Sequence, residues 1–167
     1  MTRAGEMRLA FDRGFAEQPR TDTALRESFL AIRLGTTAYA LRLSEVSGMF
    51  FNKKVTRIPT SHAALFGLAS FRGAVMPVYD LHALLGFPAS STVRWLVTTS
   101  AAAVALAFDS FEGHLQISRE AVVPPGTGEG SRDHVHEFVR TAGDIRAVVD
   151  LASVVTFIRA QMPQTIS

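Results

Sequence analysis

The chain has 167 residues, of which 47% are hydrophobic and 19% charged, and its 17 Lys and Arg against 15 Asp and Glu give a net charge of +2. This apolar content can bury enough surface to offset the entropy of ordering the chain, which excludes disorder throughout. The absence of cysteine excludes a disulfide scaffold, a Cys-ligated zinc site and thiol catalysis, and it suits a reducing compartment.

Basic side chains are scattered along the chain, and Lys53-Lys54 is the only adjacent pair. A nucleic-acid interface needs clustered cations interleaved with exposed aromatic rings, so this pattern argues against one. The uncharged stretch 95–108 is shorter than the about 20 residues that cross a bilayer, and it contains hydroxyl side chains. Charged residues interrupt the N-terminus, so no signal peptide is predicted. We expect a cytoplasmic protein without direct membrane insertion.

Residues 1–28 differ in composition from the remainder and are predicted to form an N-terminal extension. Met7, Phe11 and Phe15 are spaced four apart, which places them on one stripe of a helix. We therefore predict a short amphipathic helix followed by a linker. Its apolar stripe either docks on the protein's own body, which is the favoured interpretation, or binds a partner.

From residue 29 the pattern changes to short alternating segments that are typical of strands. Strands are predicted over 29–35, 39–43, 55–58 and 73–79. Pro77 within the last of these marks an edge or a bulge. Asp80 is a suitable N-cap for a short helix over 81–85.

An internal repeat is the most informative feature of the sequence. Gly-Ala-Val-Met-Pro-Val-Tyr-Asp-Leu at 73–81 is echoed by Gly-Asp-Ile-Arg-Ala-Val-Val-Asp-Leu at 143–151. The earlier strands repeat as well, so we expect a domain over 29–167 made of two small barrels, at about 29–88 and about 93–158. Asp150, the counterpart of Asp80, is expected to begin a C-terminal helix over about 151–162, and the stretch 124–131 is expected to be a flexible loop.

No catalytic constellation, metal site or cofactor site is predicted, so the chain is not expected to be an enzyme. The glycine-rich stretch 126–131 lacks the Gly-Lys-Ser/Thr ending of a phosphate loop. Ser70 does not lie in a Gly-x-Ser-x-Gly nucleophile elbow. His134 and His136 alternate along one predicted strand, but no third metal ligand is spaced to join them. A small-ligand hydrolase is accordingly contradicted by the missing pair of nucleophile and base.

Arg72 is a candidate contact residue, because it precedes the strongest predicted strand and is expected to emerge near the junction of the two halves. Its planar guanidinium suits bidentate binding of a carboxylate. Two interpretations remain open at this point: an internal salt bridge with Glu45, or a contact with a partner.

Residues 71–86 read Phe-Arg-Gly-Ala-Val-Met-Pro-Val-Tyr-Asp-Leu-His-Ala-Leu-Leu-Gly. They resemble the signature of CheW, the chemotaxis coupling family, which is usually Leu-Arg-Gly-x-Val-x-Pro-Val-x-Asp-Leu-x-x-x-Leu-Gly. Leu34-Gly35, Tyr39, Leu43, Val46 and the segment 55–59 also fall where the family has them. The resemblance covers roughly 29–158 and implies an all-β fold of two packed five-stranded SH3-like barrels with short helices.

The resemblance implies a non-catalytic adaptor that links the cytoplasmic tips of methyl-accepting chemoreceptors to the regulatory domain of a CheA-type histidine kinase. It also implies a cytoplasmic protein at membrane-associated receptor arrays, with other CheW-like domains as further candidate partners. The receptor-binding residues carried over from the family are Val46, Gly48, Met49 and Arg72. The kinase-binding residues carried over are Val55, Arg57, Ile58 and Gly67.

Three positions depart from the family pattern: Ser70 replaces an Asn, Gly48 replaces a common acidic residue, and Phe50-Phe51 replaces a more polar stretch. Phe50 and Phe51, together with Phe11 and Phe15, are therefore candidates for an extra interface. One alternative is a specialised CheW paralogue that binds other signalling partners without the usual receptor–kinase coupling. An SH3-like module that binds nucleic acid is the less favoured alternative.

Overall fold

A computed structural model describes residues 26–90, 93–124 and 133–161. The predicted N-terminal helix with Phe11 and Phe15 lies outside these residues, as does all but Pro124 of the loop expected over 124–131. The strands are β1 (Arg26–Leu34), β2 (Thr37–Arg42), β3 (Val46–Phe51), β4 (Leu65–Phe71), β5 (Ala74–Asp80), β6 (Trp95–Thr99), β7 (Ala105–Phe108), β8 (Ser110–Ser118), β9 (Val122–Val123), β10 (Val135–Arg140) and β11 (Ile145–Val149). The helices are α1 (Leu81–Leu84) and α2 (Leu151–Gln161), and short 3₁₀ turns span Leu43–Glu45 and Arg119–Ala121.

The strands form two sheets of six and five members. Their orders are β8-β1-β2-β11-β10-β9 and β3-β6-β7-β5-β4. Most neighbours are antiparallel, but β11 pairs with β2 and β5 pairs with β7 in parallel. The all-β class expected from the sequence is confirmed. The two sheets are open and contain six and five strands, however, rather than forming two closed barrels of five strands each.

Each sheet combines strands from both halves of the chain, which differs from the expected assignment of 29–88 to one barrel and 93–158 to the other. β1 and β2 join the six-stranded sheet with β8 to β11, whereas β6 and β7 join the five-stranded sheet with β3 to β5. Under the repeat the order β8-β1-β2-β11-β10 corresponds to β3-β6-β7-β5-β4, and β9 has no counterpart strand. Each half thus exchanges its first two strands with the other. Two parallel strands need a long connecting segment between them. Because β5 and β7, like β2 and β11, come from different halves of the chain, the segment that joins each pair is long.

The predicted boundaries agree with the structure in some places and differ in others. β1 begins at Arg26, earlier than the expected start at residue 29. The strand expected over 55–58 is reduced to a single bridge between Thr56 and Leu68, and Pro59, which lacks an N–H, cannot donate a hydrogen bond to extend that pairing. Pro77 pairs with Leu68, and the pairing of β5 with β7 starts only at Val78, so the proline interrupts no bond on that side.

One hydrophobic core lies between the sheets and the helices, and each sheet has a smaller cluster of its own. The shared core contains Tyr39 and Leu41 from β2, Leu106 and Phe108 from β7, and the buried face of α2. The smaller cluster of the five-stranded sheet contains Ala69, Phe71, Val78, Leu96, Ala105 and Ala107. That of the six-stranded sheet contains Phe29, Ala40, Ile117, Val139 and Val148. Because the shared core draws residues from both halves, neither half buries its apolar surface alone.

The two repeated aspartates act as N-caps, as the sequence predicts. The Asp80 carboxylate accepts a hydrogen bond of 2.9 Å from the His82 N–H, and the Asp150 carboxylate accepts one of 3.2 Å from the Ser153 N–H. Burial raises the pKa of Asp80, while the hydrogen bonds from the N–H groups of Ser90 and His82 oppose that shift. Both carboxylates are thereby explained by the geometry of the strand-to-helix junction.

A buried guanidinium joins three strands of the six-stranded sheet. Arg146 on β11 is buried and donates from Nη1 to the carbonyls of Ile32 and Tyr39, at 3.1 and 3.4 Å. Its Nη2 pairs with Glu112 on β8, which also pairs with Arg33 on β1. The hydrogen bonds from Arg146 and then from Arg33 hold the pKa of Glu112 below its ordinary value of 4.5. Glu112 thus compensates a charge that would be costly to bury alone.

A second structural constraint lies where the chain after β3 crosses β4. Thr56 and Leu68 exchange backbone hydrogen bonds of 2.7 and 2.8 Å. Gly67 is buried beneath this crossing, and a Cβ at Gly67 would lie 2.3 Å from the Thr56 carbonyl oxygen. Only glycine leaves room for so close an approach of two backbones.

We expect Gly67→Ala to destabilise the protein, because the crossing segment must shift away from β4. Overpacking of this kind costs about 1–3 kcal/mol, which for a domain of this size lowers Tm by roughly 2–10 °C. Gly143→Ala is the matched control, since a Cβ there meets nothing within 4 Å. Thermal unfolding followed by circular dichroism checks this, and equal Tm values for the two variants would contradict it.

We expect Glu112→Gln to make the free energy of unfolding depend less on pH in acid. When folding lowers the pKa of a carboxyl group, the ionised group stabilises the fold at pH values above its pKa in the unfolded chain. This stabilisation is lost as the pH falls through the folded-state pKa. The difference in unfolding free energy between wild type and Glu112→Gln should therefore be largest at neutral pH and shrink in acid below pH 4.5. Urea unfolding across this range measures it, with the exposed Glu120→Gln as control. A difference that does not vary with pH would contradict the assignment.

Candidate protein-interaction surface

Three of the residues expected to bind a receptor lie on β3, an edge strand of the five-stranded sheet. Val46, Gly48 and Met49 pair with β6, and the register shifts between Val46 and Gly48. Val46 and Met49 are half-buried against the shared core. A Cβ at Gly48 would lie 3.0 Å from both the Phe50 ring and the Thr98 hydroxyl. These residues thus shape the edge, and little of their side-chain surface is free.

Arg72 does not lie at the junction of the two halves. It is exposed at the tip of the β4–β5 hairpin, and the depression beside it is lined only by residues between Lys53 and Val75. The internal salt bridge with Glu45 is not formed either. Glu45 instead accepts a hydrogen bond of 3.2 Å from the Leu151 N–H at the start of α2, and burial raises the pKa of this carboxyl. Among the described residues Arg72 makes no ion pair.

The five-stranded sheet curls so that its two edges approach each other. The rings of Phe50 on β3 and Phe71 on β4 are 4.9 Å apart between centroids. The ammonium of Lys53 lies 5.4 and 5.2 Å from the centroids of these two rings. Because Phe50 directly follows Met49 and Phe71 directly precedes Arg72, this ring contact brings the two ends of the expected receptor-binding set toward each other.

The residues expected to bind a kinase come together around the crossing of Thr56 over β4. Val55 is half-buried against the cluster of the five-stranded sheet, and Ile58 is half-buried farther along. The exposed Arg57 guanidinium lies 4.1 Å from the centroid of the Phe66 ring. Gly67 is buried and offers no side chain, so its contribution is to hold this segment against β4.

Phe50 and Phe51 face opposite sides of β3 and do not form one apolar patch. Phe50 is half-buried against Phe71, whereas Phe51 is 58% exposed. The ring of Phe51 lies 4.7 Å from that of Trp95, its cross-strand neighbour. The exposed apolar surface at this edge is therefore that of Phe51 alone, supported from beneath by Trp95.

A groove of about 680 Å³ that the sequence does not suggest lies between the segment 60–65, β5 and α2. Leu65, Tyr79 and Phe157 are among the apolar and aromatic residues that line it. Burial raises the pKa of Tyr79. The one indication of this groove in the sequence is Phe157, because it is an apolar residue on the exposed face of an amphipathic helix. Its partners come from distant segments and could not be read from the sequence.

The two histidines considered as metal ligands point to different partners. His134 is buried, its Nδ1 lies 2.7 Å from the Ser153 hydroxyl, and burial lowers its pKa. His136 is exposed, with Nε2 3.9 Å from an oxygen of Asp150. Within 26–90, 93–124 and 133–161, no three His, Cys, Asp or Glu side chains are grouped to hold a metal ion. In the same residues no helix has the length and hydropathy to span a membrane.

Comparisons with known proteins find similarity to a family model, to a curated relative and to a solved structure. A family model described as the CheW-like domain matches residues 28–159. A curated relative described as a probable chemotaxis protein CheW from Rhizobium etli is 30% identical over 115 residues, which are 66% of this chain and 73% of the relative.

The crystal structure of the scaffolding protein TtCheW from Thermoanaerobacter tengcongensis matches with a TM-score of 0.64 over 74% of this chain and 88% of that chain. Its sequence identity is 18%, so this likeness concerns the fold. The family match extends from β1 to α2 and includes every strand described above. The chain therefore belongs to the CheW-like family.

Proposed function

We propose that this protein is a non-catalytic cytoplasmic adaptor that couples methyl-accepting chemoreceptors to a CheA-type histidine kinase. The observation that carries the proposal is the family match over residues 28–159, which spans both sheets and both surfaces considered above. The chemotaxis description of the Rhizobium etli relative and the scaffolding description of the Thermoanaerobacter tengcongensis protein support the same role. An adaptor needs two binding surfaces, for which we propose the β3 edge and the crossing around Thr56.

For the kinase regulatory domain we propose the surface formed by Val55, Arg57 and Ile58, held in place by Gly67. Arginine is enriched among the residues that dominate binding energy at protein interfaces. Arg57 is held over the Phe66 ring, so less of its conformational entropy remains to be lost on binding.

We expect Arg57→Glu to weaken binding of the kinase regulatory domain at least about tenfold, since a hot-spot arginine contributes about 2 kcal/mol or more. Titration calorimetry with the regulatory domain of a CheA-type kinase from the same genome measures the change. Arg140→Glu is the matched control, because Arg140 is exposed on β10 in the other sheet. Equal weakening by both variants would indicate a general charge effect and contradict the placement of the kinase surface. Absence of binding by the wild type would contradict the coupling function itself.

For the receptor tip we propose the β3 edge with Val46, Gly48 and Met49, together with Arg72. The contact between the Phe50 and Phe71 rings supports this grouping, because Phe50 adjoins Met49 and Phe71 adjoins Arg72 in the sequence. The guanidinium of Arg72, which has no ion-pair partner among the described residues, suits a carboxylate on the partner protein.

We expect Arg72→Glu to abolish receptor-dependent activation of the kinase while Tm stays within about 2 °C of the wild type, because the exposed side chain packs against nothing that the fold requires. Kinase activity in reconstituted receptor assemblies, measured beside thermal unfolding, checks both parts. A loss of cooperative unfolding would give Arg72 a structural role and contradict its assignment to the receptor surface.

A second candidate is a specialised CheW-like adaptor with other signalling partners, and the exposed Phe51 ring favours it. Large exposed aromatic side chains at a sheet edge are typical of protein interfaces. Under this alternative the wild type would not couple receptor to kinase, and Phe51→Ser would abolish binding of the other partner.

A further inference from the structure

A basic depression of about 670 Å³ lies beside the β4–β5 hairpin. Its lining residues are Lys53, Lys54, Thr56, Leu68, Ala69, Ser70, Arg72, Gly73 and Val75. Three of them are cationic and none is acidic, although the whole chain is nearly balanced in charge. Lys53 and Lys54 are also the only lysines of the chain, and both line this depression.

The backbone of Arg72 adopts a conformation that a non-glycine residue takes at a cost. Arg72 has φ +50° and Gly73 has φ +83°, and the pair forms a two-residue turn between Phe71 and Ala74. These angles are those of a type I′ turn, in which Asn and Gly are the favoured residues. Arginine at the first position of the turn departs from this preference, and strained backbone conformations of this kind cluster at binding sites.

The same depression exposes an unpaired portion of the β4 edge. Thr56 exchanges two backbone hydrogen bonds with Leu68, so the N–H and C=O of Leu68 point away from β5. Ser70, two residues along an extended strand, presents its N–H and C=O in the same direction. The chain at Lys53 and Lys54 diverges from β4, so no described segment pairs with Ser70 there.

The side chains around this edge are arranged for an amphipathic strand. Val75 lies opposite Ser70 across the hairpin and is 68% exposed, which makes it an apolar contact on the outer face. Lys53 is fixed over the rings of Phe50 and Phe71, while Arg72 makes no ion pair among the described residues. Cationic groups and an exposed apolar side chain thus lie beside one open strand edge.

We propose that this depression binds an extended acidic segment of a partner protein, which adds a strand to β4 at Ser70. Acidic side chains of the segment pair with Lys54 and Arg72, and an aliphatic side chain packs on Val75. Main-chain hydrogen bonds supply affinity in this mode and the alternating side chains supply specificity. The proposal goes beyond receptor–kinase coupling and does not depend on which signalling protein carries the segment.

A nucleic acid is the less suitable occupant. Single-stranded nucleic acids bind through exposed aromatic stacking platforms along a cationic groove, whereas the rings of Phe50 and Phe71 are covered by Lys53 and packed on each other. An unpaired strand edge offers a peptide backbone the hydrogen bonds that a phosphate backbone cannot reciprocate.

The test uses the full chain labelled with ¹⁵N and a capped peptide of about eight residues that alternates Glu and Val. We expect saturable shifts of the Ser70 amide signal, slower hydrogen exchange of that amide, and no binding of the same peptide with Gln in place of every Glu. A single-stranded DNA oligonucleotide of equal charge is titrated in parallel. Tighter binding of the DNA at the same amides would overturn the assignment to a peptide.

Variants locate the site. Lys54→Ala and Arg72→Asn should each weaken peptide binding at least about threefold, and Arg140→Ala, with the same loss of charge on β10, should not. Arg72→Asn should also raise Tm, because Asn is favoured at this turn position, which separates lost binding from lost folding. Ser70→Pro removes the outward N–H and should abolish binding, since an edge strand tolerates proline whose N position faces solvent.

No peptide binding by the wild type, or binding that none of these variants weakens, would overturn the proposal. The coupling function is distinguished by titrating wild type and Ser70→Pro with the kinase regulatory domain. Normal kinase binding by a wild type that fails to bind the peptide overturns only the peptide site. A chain that binds the peptide but no kinase overturns only the coupling function.

Discussion

The exchange of strands between the two halves of the chain is the constraint on which the remainder of the structure depends. β5 reaches β7 and β11 reaches β2 through parallel pairing, so each sheet is completed by strands that the other half provides. The shared core then buries residues of both halves against α2. Neither repeat can satisfy its own strand edges or cover its own apolar surface, and we infer that the two halves fold as one cooperative unit.

The exchange also determines which strand edges stay available. In the five-stranded sheet it leaves β3 and β4 at the edges, and these are the strands that carry or adjoin the candidate interface residues. Curling brings Phe50 and Phe71 together, so the sheet is nearly closed by side chains although its edges share no backbone bonds. Gly67 admits the crossing of Thr56, which covers only part of the β4 edge. The candidate interface residues therefore lie where the five-stranded sheet does not close into a barrel.

Polar contacts stabilise the same arrangement where the two halves meet. Arg146 from the second half donates to carbonyls of Ile32 and Tyr39 in the first half. Glu112 balances its charge, and Glu45 from the first half accepts the Leu151 N–H at the start of α2. Arg146 is buried and Glu45 is half-buried, so each would be costly without its partner. Glu45 thus serves the helix terminus and leaves Arg72 available at the surface.

The sequence by itself determined the all-β class, the internal repeat, the capping by Asp80 and Asp150, and the family. These follow from short-range patterns, because alternation, turn residues and N-caps depend on neighbours within a few positions. Tertiary structure alone decided that the repeats exchange strands and that Arg72 lies beside Lys53 and Lys54 rather than at the junction. Strand partners and surface neighbours are chosen by burial of a common core between distant segments, and no local pattern encodes that choice.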